Sequence, residues 1–296
     1  MRILYVANHN CGHLDDEGTI AHVLESLGHD VVRVNEKEGK QVLGLSGDLL
    51  LFHKWSDSET LNLMRGKLPR VFWYFDLVEY PSDPELTRRC DSRKAWMRQM
   101  IPNVELGFCT DGDWVKRWHY TEPGKLHWLT QGFDDRVQSV PRTDKLPFVF
   151  VGTRNGGKTR ASFVDEMVYH YGGEFTHTPS GTYREELAKH IAKAGIVLVP
   201  DGPVTSDYWS NRVWWMTGLG GCVFHPYCAK LAEMYETKKE IVFYHSRPEL
   251  HDLIKRHRDN REKRWKIGEA GQARARADHT YTKRVQQLLQ MIEEQL

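Results

Sequence analysis

The chain of 296 residues is long enough for two domains that each close a hydrophobic core, and too long for a peptide or a disulfide-stapled miniprotein. Apolar residues at 40%, charged residues at 27%, and 24 Gly and 12 Pro scattered along the chain exclude collagen, low complexity and disorder. Forty-one Lys and Arg balance 40 Asp and Glu, so no global field draws the chain to nucleic acid or an anionic membrane, and a polyanion must be met by a local patch. The five cysteines (Cys11, Cys90, Cys109, Cys222, Cys228) are odd in number and lack CxxC spacing, which argues against a disulfide framework and against a zinc site. With no signal-peptide pattern, membrane-length apolar run or lipidation motif, a reducing cytoplasm is the expected location.

In chain order, apolar runs at residues 3–7, 30–34, 48–52, 70–75, 106–109 and 126–129 predict six strands in the first half. Near-continuous hydrophobic strands alternating with helical patterns mean a parallel sheet covered on both faces. Between the first two runs, Ile20, Val23, Leu24 and Leu27 recur at the spacing of one helix face, and Gly28 follows as a C-cap. His9 and Glu17 stand on or after the loop leaving the first strand, His53 and Lys54 close the third, and Asp76 ends the run RVFWYFD. Strand termini deliver such groups to the edge where α/β proteins bind ligands, which makes Asp76 the leading candidate for acid-base work, with Glu17 and His9 behind it. The plainer reading of each carboxylate is a helix cap or a solvated turn residue.

The polar stretch 140–147 (VPRTDKLP) reads as an interdomain linker, giving domains at 1–141 and 148–278 and a C-terminal helix at 279–296 that packs back on the first domain. Five more strands are predicted at 148–151, 174–176, 196–199, 222–225 and 241–244, with helices at 159–171, 184–194, 210–217, 229–235 and 247–258. Two Rossmann-like halves in tandem, facing one another across a ligand cleft, are the simplest architecture. Residues 152–159 (GTRNGGKT), between a strand and a helix, satisfy G-x-x-x-x-G-K-[ST] from Gly152 to Thr159. Read as a P-loop, the stretch uses Gly156 and Gly157 to admit phosphate, Lys158 as a point charge, Thr159 on magnesium and Asp201 as the metal-binding strand residue, which describes a kinase. Read as a Gly-rich turn, it still offers Arg154 and Lys158 to a phosphate. Because a P-loop generally opens its domain, a full α/β half ahead of this one weighs against the kinase.

Residues 206–226, SDYWSNRVWWMTGLGGCVFHP, are more specific. Ser206, Tyr208 and Ser210 lead into Asn211-Arg212 at a helix start, followed by the Gly220-Gly221 turn and a strand ending in His225-Pro226. In this stretch, and in the basic helix, small-residue run and His279-Thr280-Tyr281 with Arg284 that follow, the chain resembles the CgeB-like group of glycosyltransferases, with a group 1 type C-terminal domain, over residues 148–290. The first half is similar more loosely, through Trp73-Tyr74-Phe75-Asp76 and Thr110-Asp111-Gly112.

The resemblance implies the α/β GT-B fold, in which the second Rossmann-like domain holds a nucleotide-sugar donor and the first an acceptor. It implies transfer of a sugar, from UDP in the favoured case, to an acceptor hydroxyl without metal or other cofactor, Asp76 taking the proton across the cleft from the donor. A diphosphate leaving group gains negative charge in the transition state, so helix N-termini and cations are needed there. The donor set is then Arg154, Lys158, Ser206, Tyr208, Asn211, Arg212, Gly220 and Gly221. Where related enzymes place a ribose-gripping Glu, this chain has Trp214 and Trp215, free either to stack on the base or to pack into the core.

Phage-type relatives glycosylate 5-hydroxymethylpyrimidines in DNA, and that acceptor is the favoured one, ahead of a surface polysaccharide or a small metabolite. Yet the first 146 residues hold 19 basic and 22 acidic side chains, no basic footprint. Residues 251–284 carry eleven Lys or Arg against five Asp or Glu, but their spacing spreads the charge around a helix and reads as solvated. An inactive nucleotide-sugar binding module is the non-enzymatic alternative.

Overall fold

The computed structural model describes residues 1–9, 16–80, 84–154, 158–178, 181–200 and 205–296, with the backbone alone at 84–87 and 158. The elements run β1 (Arg2–Ala7), α1 (Asp16–Ser26), β2 (Asp30–Asn35), β3 (Leu49–Phe52), α2 (Ser58–Leu63), β4 (Arg70–Tyr74), α3 (Pro84–Met100), β5 (Leu106–Cys109), α4 (Gly112–His119) and β6 (Leu126–Trp128). They continue with β7 (Leu146–Val151), α5 (Lys158–Tyr171), β8 (Phe175–Thr178), α6 (Arg184–Lys193), β9 (Ala194–Leu198), α7 (Arg212–Gly218), β10 (Val223–Pro226), α8 (Ala229–Ala232), β11 (Val242–Tyr244), α9 (Arg247–Arg258), α10 (Arg261–Asp278) and α11 (Tyr281–Gln295). Two compact units result: Met1–Gln131 with Tyr281–Leu296, and Gly132–Thr280.

Unit 1 is a six-stranded parallel sheet of order β2-β1-β3-β4-β5-β6. The unbroken apolar strands have their predicted cause. In β1, Ile3, Tyr5 and Ala7 join one core with Ile20 and Leu24 of α1, while Leu4 and Val6 join the other with Phe52 and Phe72. Neither face is solvated, so alternation vanishes from the sequence. Gly28 closes α1 at φ +88°, a conformation that strains any residue with a Cβ. The last helix, α11, completes the first of these cores with Tyr281, Val285, Leu288 and Ile292, spaced as one helical face. Arg284 Nε donates to Thr130 Oγ1 at 2.9 Å where the chain re-enters this unit.

Unit 2 is a five-stranded parallel sheet of order β11-β10-β9-β7-β8. The stretch 140–147, read as a linker, lies inside this unit and is anchored by charge. Asp144, 5% exposed at its side chain, accepts from Arg264 Nη2 at 2.9 Å and Trp265 Nε1 at 3.0 Å, with Arg142 Nη2 3.4 Å away. Burial first, and the neighbouring Arg264, lower Arg142 below the usual arginine value despite Asp144. The basic segment after residue 251 differs from the solvated helix read above. It breaks at Asp259-Asn260, where the Asn260 side chain caps α10 by accepting from the Lys263 N–H at 2.9 Å. Leu253, Ile254, Arg264 and Ile267 are buried, and Gly268 and Gly271 let α10 approach backbone so closely that a Cβ would stand 2.5 Å from Gly220 O and 2.3 Å from Glu240 O.

Candidate functional site

In unit 2 the chain runs from β7 to β8 on one side and then crosses to β9 on the other, so the strand order reverses at the carboxyl ends of β7 and β9. Open α/β sheets bind ligands at such a switch point. A cavity of about 320 Å³ opens along this edge, lined among others by Thr159, Pro200, Tyr227, Tyr244, His245 and Arg247. Its polar groups sit at helix starts. Ser246 caps α9 by accepting from the Glu249 N–H at 3.3 Å, and the Glu249 carboxylate accepts from the His245 N–H at 2.7 Å, one residue before the cap. Arg247 follows at the first position of α9, its guanidinium 4.4 Å from the Phe163 ring and within 3.4 Å of Thr159 O. Tyr227 stacks on His245 with centroids 4.5 Å apart, leaving a half-exposed aromatic pair in the wall.

At the same edge, Arg212 lies against the backbone where β7 ends. A Cβ on Gly152 would meet Arg212 Nη2 at 2.9 Å and Nε at 3.0 Å, so the guanidinium packs directly on this glycine, whose φ of +151° side chains rarely adopt. The Arg212 guanidinium also lies 5.5 Å from the Phe150 ring, and His177, stacked on Phe150 at 5.3 Å, donates through Nε2 to Gly152 O at 2.8 Å. The site is therefore a fixed cation beside a strand end whose backbone is itself pinned. Such a group meets developing anionic charge without reorganising.

The corresponding edge of unit 1, past the ends of β1, β3 and β4, carries His9, His53 and Asp76. His53 is structural: Nδ1–H donates to Trp73 O and Nε2 accepts from the Tyr5 hydroxyl, both at 2.5 Å. Burial, with the neighbouring charge of Lys54 and despite the Trp73 carbonyl, lowers its pKa from 6.5 to about 3. Between those values the unfolded chain binds a proton that the folded chain refuses, so stability falls as pH drops from 6.5 towards 3. Denaturation midpoints followed against pH are expected to show a contribution of up to about 1.4 kcal/mol per pH unit from this group, absent in His53→Gln. An equal slope in both proteins would place the titration elsewhere. His9 Nε2 contacts Tyr5 O at 3.1 Å; a carbonyl only accepts, so Nε2 carries the proton and Nδ1 is the basic nitrogen of the neutral ring. Asp76 is held by Lys54 Nζ at 2.7 Å and Arg93 Nη2 at 3.6 Å.

A sequence model of the family described as glycosyl transferase-like matches residues 137–290, more than half of the chain. The chain belongs to the glycosyl transferase-like family. Its fold is GT-B, an α/β arrangement of two Rossmann-like units, and it is shared with solved structures of low sequence identity. Sucrose-phosphate synthase from Thermosynechococcus elongatus superposes with a TM-score of 0.74 at 11% identity, over 99% of both chains. The catalytic domain of starch synthase IV from Arabidopsis thaliana, bound to ADP and acarbose, gives 0.73 at 9% over 100% of this chain and 99% of that one. Alr3699/HepE from Anabaena, in complex with UDP, gives 0.66 at 11% over 99% and 100%. No curated protein sequence matches the chain. With the family shown, this is an enzyme of the glycosyltransferase class, and the kinase reading of Gly152 to Thr159 falls away.

In this glycosyltransferase the residues singled out from sequence separate into groups. Gly152 and Arg212 come together, with Asn211 at the N-cap position of α7 and Ser210 Oγ 3.4 Å from the Arg212 N–H. Arg154 pairs with Asp165, both half-exposed, and so enters with part of its charge answered. Lys158 opens α5, but its side chain, like Gly156, Gly157 and Asp201, lies outside the described residues. Ser206 and Tyr208 are held by backbone: Ser206 O accepts from the Lys230 N–H at 3.1 Å, and the Tyr208 N–H donates to Thr205 Oγ1 at 3.0 Å. Gly220 and Gly221 stand at the amino end of β10, away from the others, where a Cβ on Gly221 would reach Met216 O at 2.8 Å; they serve the turn and its packing.

Trp214 is core, in contact with Trp209, Tyr235 and His279, while Trp215 meets Phe133 edge-on at 5.3 Å. In unit 1, Glu17 sits in the first turn of α1, a place that suits any acid, and Asp111 caps α4 by accepting from the Trp114 N–H at 3.0 Å. Arg247 and the Tyr227-His245 pair were missed, although Ser246-Arg247-Pro248-Glu249 is a legible helix-start pattern. One further group lies apart from these assignments: Glu166, His170 and His251 bring ligand atoms within 4.8 Å of one another.

Proposed function

We propose that this glycosyltransferase takes its sugar from a nucleotide diphosphate donor held by unit 2, with UDP as the nucleotide. The carrying observation is Arg212, seated against Gly152 at the carboxyl end of β7, where its charge would answer the departing diphosphate. The neighbouring cavity, of a size suited to a small ligand, has an aromatic wall for a base and Arg247 at a helix start for a phosphate. The complexes of Alr3699/HepE with UDP and with UDP-glucose support the choice of nucleotide. With two arginines at this edge, the transfer step draws on no metal, and activity persists in a chelator.

The acceptor hydroxyl belongs to an uncharged carbohydrate or small metabolite. A 5-hydroxymethylpyrimidine in DNA falls behind it, because unit 1 carries 18 basic against 21 acidic side chains and offers phosphates no cationic excess. Asp76 takes the proton of that hydroxyl, its part-exposed carboxylate positioned by Lys54 and Arg93, ahead of His9, whose Nδ1 is buried.

Thermal unfolding with a panel of nucleotides and nucleotide sugars tests the donor: a ligand at 100 times its Kd adds about 2.7 kcal/mol. UDP-sugars are expected to stabilise the protein, and Arg212→Ala to lower transfer about 100- to 1,000-fold with unliganded melting little changed. Stabilisation by no nucleotide sugar would overturn the donor assignment, and unchanged turnover in Arg212→Ala would remove that residue from the diphosphate. Faster transfer to hydroxymethylated DNA than to any saccharide would reverse the acceptor reading.

A further inference from the structure

On the outer helices of unit 2, α5 and α9 bring together three side chains that the transfer reaction does not use. Glu166 and His170 stand four residues apart on α5 and therefore share a face. His251, from the second turn of α9, completes the group: its Nε2 lies 2.8 Å from Glu166 Oε1, and its ring centroid 4.5 Å from that of His170. All three ligand atoms fall within 4.8 Å of one another.

We propose that Glu166, His170 and His251 form a binding site for a divalent borderline cation, Zn²⁺ in the first instance. Two imidazoles and a carboxylate are a zinc ligand set, with a fourth, open position for water. Ligand atoms 2.0–2.1 Å from a tetrahedral ion stand about 3.3 Å apart, so Glu166 and His251 need separate by only about half an ångström. His170 is exposed and can swing in by rotamer change alone.

The surroundings are built to orient the ligands. His251 Nδ1 lies 2.7 Å from the Tyr171 hydroxyl, the outer partner that ligating imidazoles generally have. Without metal, Nε2–H donates to the Glu166 carboxylate and Nδ1 accepts from the hydroxyl. When Nε2 turns its lone pair to the ion, the proton moves to Nδ1 and donates to the same hydroxyl oxygen, so no partner is lost and no proton leaves the ring. Arg247 Nη1, 3.4 Å from Glu166 Oε2, engages the other carboxylate oxygen and leaves Oε1 to the ion. A bound cation would tie α5 to α9, whose first turns carry Thr159 and Arg247 into the cavity wall.

The test is titration of the tag-free, chelator-stripped full chain with Zn²⁺ against a chromophoric competitor, with Co²⁺ as a spectroscopic stand-in. The expected result is one equivalent bound, a tetrahedral Co²⁺ spectrum, an affinity about 100-fold or more weaker in His170→Ala and in Glu166→Gln, and about 10-fold weaker in Tyr171→Phe. His170 is exposed, so its variant folds and answers even if a His251 variant does not. A stoichiometric site unaffected by His170→Ala, or an affinity weakened as much by replacing the exposed His22 as by replacing His170, overturns the proposal.

Discussion

Asp76→Asn is expected to lower turnover by about 100- to 10,000-fold, the range for losing a positioned general base, with the affinity for a nucleotide sugar nearly intact. The reason is local. Asp76 stands just past β4 at the carboxyl edge of the unit 1 sheet, and Lys54 and Arg93 hold its part-exposed carboxylate in place. His9→Ala and Glu17→Gln, measured in the same assay, are the controls. His9→Ala removes a ring whose Nδ1 is buried and should cost less than Asp76→Asn, whereas the reverse order would make His9 the proton acceptor. Turnover intact in all three would move proton acceptance off unit 1, leaving the departing diphosphate oxygen to take the acceptor's proton.

Asp144→Ala is expected to destabilise the protein by about 3–5 kcal/mol, because it strands two buried guanidinium groups and the Trp265 N–H without their shared carboxylate. Breaking one partner of a buried pair costs far more than the pair contributes, since the remaining charge cannot be resolvated. Asp144 also sits at φ 52°, which a β-carbon tolerates poorly but which Asn adopts more readily. Asp144→Asn should therefore lose less than Asp144→Ala. Urea unfolding of both variants, beside Asp165→Ala as an exposed ion-pair control worth less than about 1 kcal/mol, measures the difference. Equal midpoints for Asp144→Ala and wild type would show that 140–147 is the simple linker its composition suggests.

What could be read from the sequence was carried by neighbours along the chain. Continuous apolar runs became two parallel sheets because helices cover both faces of each, and Gly28 ends α1 because its φ follows from local geometry alone. The Ser210-Asn211-Arg212 pattern marked the start of α7 within two residues, although the Asn211 side chain makes no capping bond and the nearest local contact is the Arg212 N–H to Ser210 Oγ. Tertiary structure alone decided which side chains meet. Arg212 lies beside Gly152 across sixty positions, and His251 reaches Glu166 across eighty-five.

The same limit explains the departures. Arg264 finds Asp144 across 120 positions, turning a stretch that reads as a linker into a buried anchor, and a segment that reads as solvated buries one face. Gly220 and Gly221, placed in the donor set by resemblance, fall at the amino end of β10, because a motif does not record which end of a strand it occupies. Periodicity and caps are fixed by interactions a few residues long. Partnerships across sixty or more residues depend on strand order, which no local pattern encodes and which only the packing of whole elements selects.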